Sequence, residues 1–184
     1  MTRPRFGYAK VHRIRSLDDR LQLIARQLDK SEQDPWIRAM ALESVRGVPQ
    51  HGPESEDAEV TRVFWFVKNN IEYRQDPRNY DFYATGRRTW QFKAGDCDDH
   101  VVAVNSLLTN LGYLTGARVI SADGMGWHIY SLVGVRTKEN PTAVIALDTT
   151  QPGSFPGWEP PVEYRNHEIE VTFSGGRPVT RKVR

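Results

Sequence analysis

Three residues in this chain have the types and spacing for acyl chemistry: Cys97, His128 and Asp148. Cys97 is the only cysteine. It opens an apolar series, Cys97, Val101, Val104, Leu108 and Leu111, whose spacing of four, three, four and three predicts a helix ending at Gly112. A thiol in the first turn of a helix sits at the positive end of the helix dipole, beside backbone N–H groups with no intrahelical partner, and both favour thiolate. The same stripe would also suit an inert core cysteine.

His128 and Asp148 fall near the start of one predicted strand and the end of the next, with a turn-like segment, Thr137 to Pro141, between them. If the strands form an antiparallel hairpin centred on residue 138, the two are cross-strand partners on one face. Their β-carbons would then be about 5 Å apart. A carboxylate beside an imidazole fixes its tautomer, and an imidazole beside a thiol can carry its proton, so the three residues could act as nucleophile, base and orienting acid.

Positioning these residues requires helices first and strands second. Ser16 caps a helix over about 17 to 30, marked by Leu17, Leu21, Ile24 and Leu28. Asp34 and Pro35 start a second, with Ile37, Met40, Ala41 and Val45 on one face and Gly47 as its stop. Val60, Val63, Phe64, Val67 and Ile71 mark a third, widened by Trp65 and Phe66, which is expected to be central. Residues 74 to 94 show neither period and read as a long ordered loop. Strands follow at Ala117 to Ser121, Trp127 to Val135 and Ala143 to Thr149, with weaker ones at 162 to 173 and 178 to 183. The proline- and glycine-rich segment Gln151 to Pro161 reads as loop. This order predicts an α+β fold in which N-terminal helices and the cysteine-bearing helix lie on an antiparallel sheet.

The run Gly95, Asp96, Cys97, Asp98, Asp99, His100 resembles the GDC-centred nucleophile motif of the transglutaminase-like superfamily. His128, Ile129, Tyr130 resembles its histidine strand, and Leu147, Asp148, Thr149, Thr150 its acid motif, in the same order along the chain. Ile71, Glu72 and Tyr73 resemble the helix-to-loop step before the motif. The resemblance implies a papain-like core over residues 58–150, within a single domain spanning 1–184. Outside it lie a basic arm (1–15), a helical N-terminal extension (16–57) and a C-terminal loop with strands (151–184). It implies Cys97 as nucleophile, His128 as base and then acid, and Asp148 as the group that holds the imidazole. The expected activity is acyl transfer or hydrolysis on a peptide or glutamine amide through a thioester, with hydrolysis favoured over cross-linking and no cofactor required. The backbone N–H of Cys97 is one expected oxyanion donor, and Trp90 and Gln91 are a loose match for a second. A short module of this type points to a bacterial or bacteriophage protein.

Two alternatives stay open. One is a binding or assembly module that keeps the fold without turnover, docking through basic residues at its ends: Arg3, Arg5, Lys10, Arg13 and Arg15 in front, Arg177, Arg181, Lys182 and Arg184 behind. The other is a zinc site from Cys97, His100 and His128 with a carboxylate. Asp96, Asp98 and Asp99 read as helix-terminal acids that complement the dipole and point outward.

Net charge is only +2, so nucleic acid is not an indicated partner. A protein or peptide substrate is, with an acidic protein partner as a further option at the ends. No window approaches the roughly 20 apolar residues of a membrane span and no export signal is visible, so a cytoplasmic location, or a virion component, is expected. A lone thiol fits a reducing compartment.

Overall fold

The computed structural model describes residues 16–49, 55–77, 81–122 and 126–183, so the basic arm over 1–15 lies outside the described residues. Helix α1, Leu17–Glu32, starts where the Ser16 hydroxyl accepts the Asp19 N–H at 3.1 Å, and it buries Leu21, Ile24 and Leu28. Helix α2, Pro35–Ser44, starts where the Asp34 carboxylate accepts the Trp36 N–H at 2.9 Å. Helix α3, Ser55–Asn70, buries Val60, Val63, Phe64 and Val67, but Trp65 faces outward and only Phe66 extends the apolar face.

The stretch expected to be loop contains a seven-residue helix, α4, Gly86–Phe92. It follows a two-residue strand, β1 (Glu72–Tyr73), which pairs in parallel with β2 (Ala94–Gly95). Seven residues are too few to show a 3.6 period, and the signals that bound α4 are local. Thr85 caps its start, and Lys93 ends it in the left-handed conformation (φ 54°).

Helix α5, Cys97–Asn110, is the central helix in place of α3, for every residue from Asp98 to Leu108 is buried. One apolar cluster joins it to α2, α3 and the sheet through Ile37, Phe64, Val104 and Leu107. A second joins it to α1 and the other end of the sheet through Leu21, Ile24, Val101 and Val119.

The sheet is five-stranded and antiparallel: β3 (Thr115–Ser121), β4 (His128–Val135), β5 (Ala143–Leu147), β6 (His167–Ser174) and β7 (Arg177–Lys182), in the order β5-β4-β3-β6-β7. The weak strand expected over 162 to 173 is a 3-10 turn, Val162–Tyr164, followed by β6. Gly175 (φ 53°) and Gly176 (φ 71°) close the tight β6–β7 hairpin, whose turn demands positive φ at both positions. The C-terminal basic residues Arg177, Arg181 and Lys182 lie on β7, the weak strand expected over 178 to 183, and Arg181 pairs with Glu170 on β6. No helix among the described residues is long and apolar enough to cross a membrane.

Candidate active site

Cys97 opens α5 behind Asp96, whose extended backbone and carboxylate cap the helix by accepting the Asp98 N–H at 3.2 Å. Gly95 is required just before it: a β-carbon there would lie 2.5 Å from that of Asp99. The expectation that the neighbouring acids point outward is overturned, since Asp98 and Asp99 are 7% and 6% exposed. Asp99 is drawn inward because its carboxylate accepts the Ala84 N–H at 2.9 Å and so ties the preceding loop to the helix.

Ligand oxygens of Asp96, Asp98 and Asp99 all lie within 4.8 Å of one another. Like charges that close cannot all ionise. Burial, with Asp76 next, pushes Asp96 up to about 6. Burial, with the charge of Asp96 next, pushes Asp99 up to about 7 and holds Asp98 well above the carboxylate range.

Burial also raises the Cys97 thiol well above its usual value, with Asp96 and Asp98 adding to the effect, while the Ile129 backbone N–H facing the sulfur opposes it. The dipole advantage of the first turn is therefore outweighed, and the resting sulfur is a thiol. Among the described residues, the three aspartates are the only cluster of metal-ligating side chains, so Cys97, His100 and His128 do not converge as a zinc set.

His128 begins β4, and Asp148 follows the end of β5. His128 Nε2 lies 2.8 Å from Asp148 Oδ2, with Asp148 fully buried and the imidazole about one fifth exposed. The hairpin is displaced by two residues from the expected register: Ser131 faces Leu147, so Asp148 is diagonal to His128 rather than opposite. A shift of two keeps both side chains on one face, whereas a shift of one would have separated them. The other Asp148 oxygen accepts the Thr150 N–H at 3.0 Å and the Thr150 hydroxyl at 2.6 Å. Burial tends to raise the Asp148 carboxyl, but the His128 and Thr150 hydrogen bonds outweigh it and hold the group below its ordinary value. As Asp148 is ionised, Nε2 carries the proton it accepts, which leaves Nδ1 of His128 as the free lone pair.

Further residues hold this arrangement. His100, one turn along α5 from Cys97, is buried and pushed down to about 4 by that burial, so it is neutral. Its Nδ1 lies 2.8 Å from the Thr149 hydroxyl, which joins the cysteine helix to the acid-bearing loop. Lys68 on α3 donates to the Gln151 carbonyl and, at 2.8 Å, to the Ser154 hydroxyl. Ser154 in turn donates to the Asp148 carbonyl. No pattern in α3 marks Lys68 in advance, because it lies off the apolar stripe.

A small pocket of about 40 Å³ is lined by Cys97, His128, Trp127, Tyr83 and Val119, which places thiol and imidazole on one concave surface. Tyr73, half exposed on β1 and paired with Gly95, feels the charges of Cys97, Asp96 and Asp148 after its own partial burial. Trp90 is not part of the lining of the thiol–imidazole pocket. It is buried against Phe66 with ring centroids 5.0 Å apart, while Gln91 is exposed and accepts from Arg88.

No family model matches the sequence, and no curated protein matches it. Solved structures do match in fold. The crystal structure of a candidate protease from Parabacteroides distasonis ATCC 8503 superposes with a TM-score of 0.56 at 12% identity, over 88% of this chain and 30% of that one. That of a candidate cysteine protease from Cytophaga hutchinsonii gives 0.53 at 15% identity, over 74% of this chain and 44% of that one. The chain thus spans less than half the length of either. At this identity the likeness establishes the fold alone: α+β, five helices and an antiparallel five-stranded sheet.

Proposed function

We propose that this chain is a cysteine-dependent amide hydrolase of transglutaminase-like type, acting on a peptide bond or a glutamine side chain. The observation that carries the reading is the 2.8 Å His128–Asp148 contact beside a helix-terminal cysteine in one shared pocket. A buried, ionised carboxylate hydrogen-bonded to an imidazole is costly unless its position matters. Here it fixes the tautomer that leaves Nδ1 ready to take a proton.

The reaction divides into two steps. As the Cys97 sulfur bonds to the carbonyl carbon, the thiol proton moves to His128 Nδ1. The C–N bond then breaks, the nitrogen takes that proton, and ammonia or an amine departs. Water attacks the resulting thioester, gives its proton to His128, and expels the sulfur, which recovers a proton as thiol. The sum is amide plus water giving acid plus amine. Because the resting sulfur is a thiol, proton removal accompanies attack, and His128 is a general base in the first step rather than half of a standing ion pair. In this reading the Cys97 N–H is one oxyanion donor and the Tyr73 phenol a candidate for the second.

The test is mass spectrometry of a glutamine-containing peptide pool after incubation with protein. Deamidated or cleaved products with wild type and none with Cys97→Ala support the reading. Products that persist with Cys97→Ala contradict it. A second reading, an assembly module with a silent site, draws on the raised thiol and is favoured if wild type gives no product and its thiol resists all acylating reagents until unfolded.

A further inference from the structure

A cavity lies on the other flank of the helix start that carries Cys97. It measures about 840 Å³, near the upper end of the range for ligand sites, and Gly95 and Asp99 form part of its wall. Tyr83 contributes to both this cleft and the small thiol–imidazole pocket, so one buried side chain separates the two. Leu23, Phe82, Ala84 and Phe92 make the lining mostly apolar.

Four cations surround that apolar surface: Arg26 and Lys30 from α1, Arg74 just after β1, and Arg88 from α4. Arg88 is held over the Phe92 ring, 4.1 Å from its centroid, and one of its terminal nitrogens is buried with no hydrogen-bond acceptor among the described residues. A buried guanidinium nitrogen without an acceptor is costly and calls for an anion. The two acids in the lining do not supply it. Asp99 is pushed up to about 7 by burial and is bonded to Ala84, while Asp76, also raised by burial, accepts from Phe82. Arg74 pairs with Glu72, at 3.1 Å, on an exposed edge.

We propose that this cleft is the recognition groove for the substrate and takes a peptide segment that carries an acidic side chain beside an apolar one. This rests on the thioester reading, which makes the occupant a peptide. The chain's own N-terminal segment is not the occupant that charge favours, since residues 1–15 carry Arg3, Arg5, Lys10, Arg13 and Arg15.

Binding is measured by fluorescence anisotropy on the full-length Cys97→Ala chain. The probes are a fluorescein-labelled peptide alternating leucine and glutamate and its counterpart with glutamine in place of glutamate. The acidic peptide is expected to bind at least about tenfold more tightly, a preference that weakens with added salt. Replacing Arg26→Glu and Lys30→Glu together, both on the exposed side of α1, should erase that preference while helical content is unchanged. Equal affinity for both probes, no binding of either, or a preference that survives the double charge reversal would overturn the proposal. An uncharged peptidyl vinyl sulfone, which labels Cys97 without an acidic group, reports on the thiol separately. Acid-selective binding without labelling removes the thioester reading and the substrate role. Labelling without acid-selective binding removes the groove alone.

Discussion

At the scale of single residues, the site turns on where one proton rests. Burial and two neighbouring acids hold the Cys97 thiol protonated, while Asp148 below its usual range holds His128 in one tautomer. Iodoacetamide alkylation of the native protein should therefore keep rising as pH passes the ordinary thiol value of about 8.5. A plateau below neutral pH would reveal a standing thiolate–imidazolium pair instead. Asp148→Asn keeps the size of the side chain and an acceptor for Thr150, but its amide can present N–H to His128 and favour the wrong tautomer. Turnover should fall by about 10²- to 10⁴-fold with little change in KM, measured on the same peptide substrate. The variant should also change acid stability. A carboxyl with a depressed folded-state pKa stabilises above its unfolded value near 4, and that contribution is lost as pH falls through the folded value. Wild type should thus lose its advantage over Asp148→Asn in denaturant titrations run below about pH 4.

At the scale of elements, the start of α5 is where packing and charge meet. Gly95 admits Asp99, Asp99 ties down Ala84, and the three aspartates share little room for charge. A carboxyl with a raised folded-state pKa contributes its full stability below its unfolded value. That stability is lost as pH rises through the folded value, here between about 4 and about 7 for Asp99. Asp99→Asn, which retains an acceptor for Ala84, should match wild type near pH 4 and exceed it at pH 8 by on the order of 4 kcal/mol. Urea denaturation at the two pH values measures the difference, and an equal offset at both would place the effect in packing. The sequence shows the helix itself through the stripe from Cys97 to Leu111, but not this inward turn of its acids, because the N–H that draws Asp99 belongs to a loop fifteen residues earlier. Helix α4 is invisible for a related reason: its limits are set by a Thr85 cap and a left-handed Lys93 rather than by periodicity. The β4–β5 hairpin is legible to the correct face yet two residues out of register. Positive φ at Arg136 and Thr137 shapes a connection whose centre the residue types alone do not locate.

At the scale of the whole molecule, α5 is the element every other part serves. Helices α1 to α4 surround it, and the sheet brings His128 and the Asp148 loop to its first turn. Ser16 caps α1 with its own hydroxyl, so deleting residues 1–15 should leave the melting temperature within about 2 °C of wild type. A larger drop would show that the arm packs on the core. That the order of helices and strands could be read from periodicity, while the groove on the far flank could not, reflects what each depends on. Elements follow local spacing, whereas Arg26, Arg74 and Arg88 meet only after three separate segments assemble. The central claim concerns Cys97 and His128 acting together, and the chain's single cysteine makes it directly measurable. Intact mass after exposure to a peptidyl vinyl sulfone should show one adduct on wild type and none on Cys97→Ala. For His128→Ala, labelling should be slower by about 10²-fold or more, because the imidazole must take the thiol proton. Labelling of His128→Ala at the wild-type rate, or labelling of wild type that appears only after unfolding, would contradict the account.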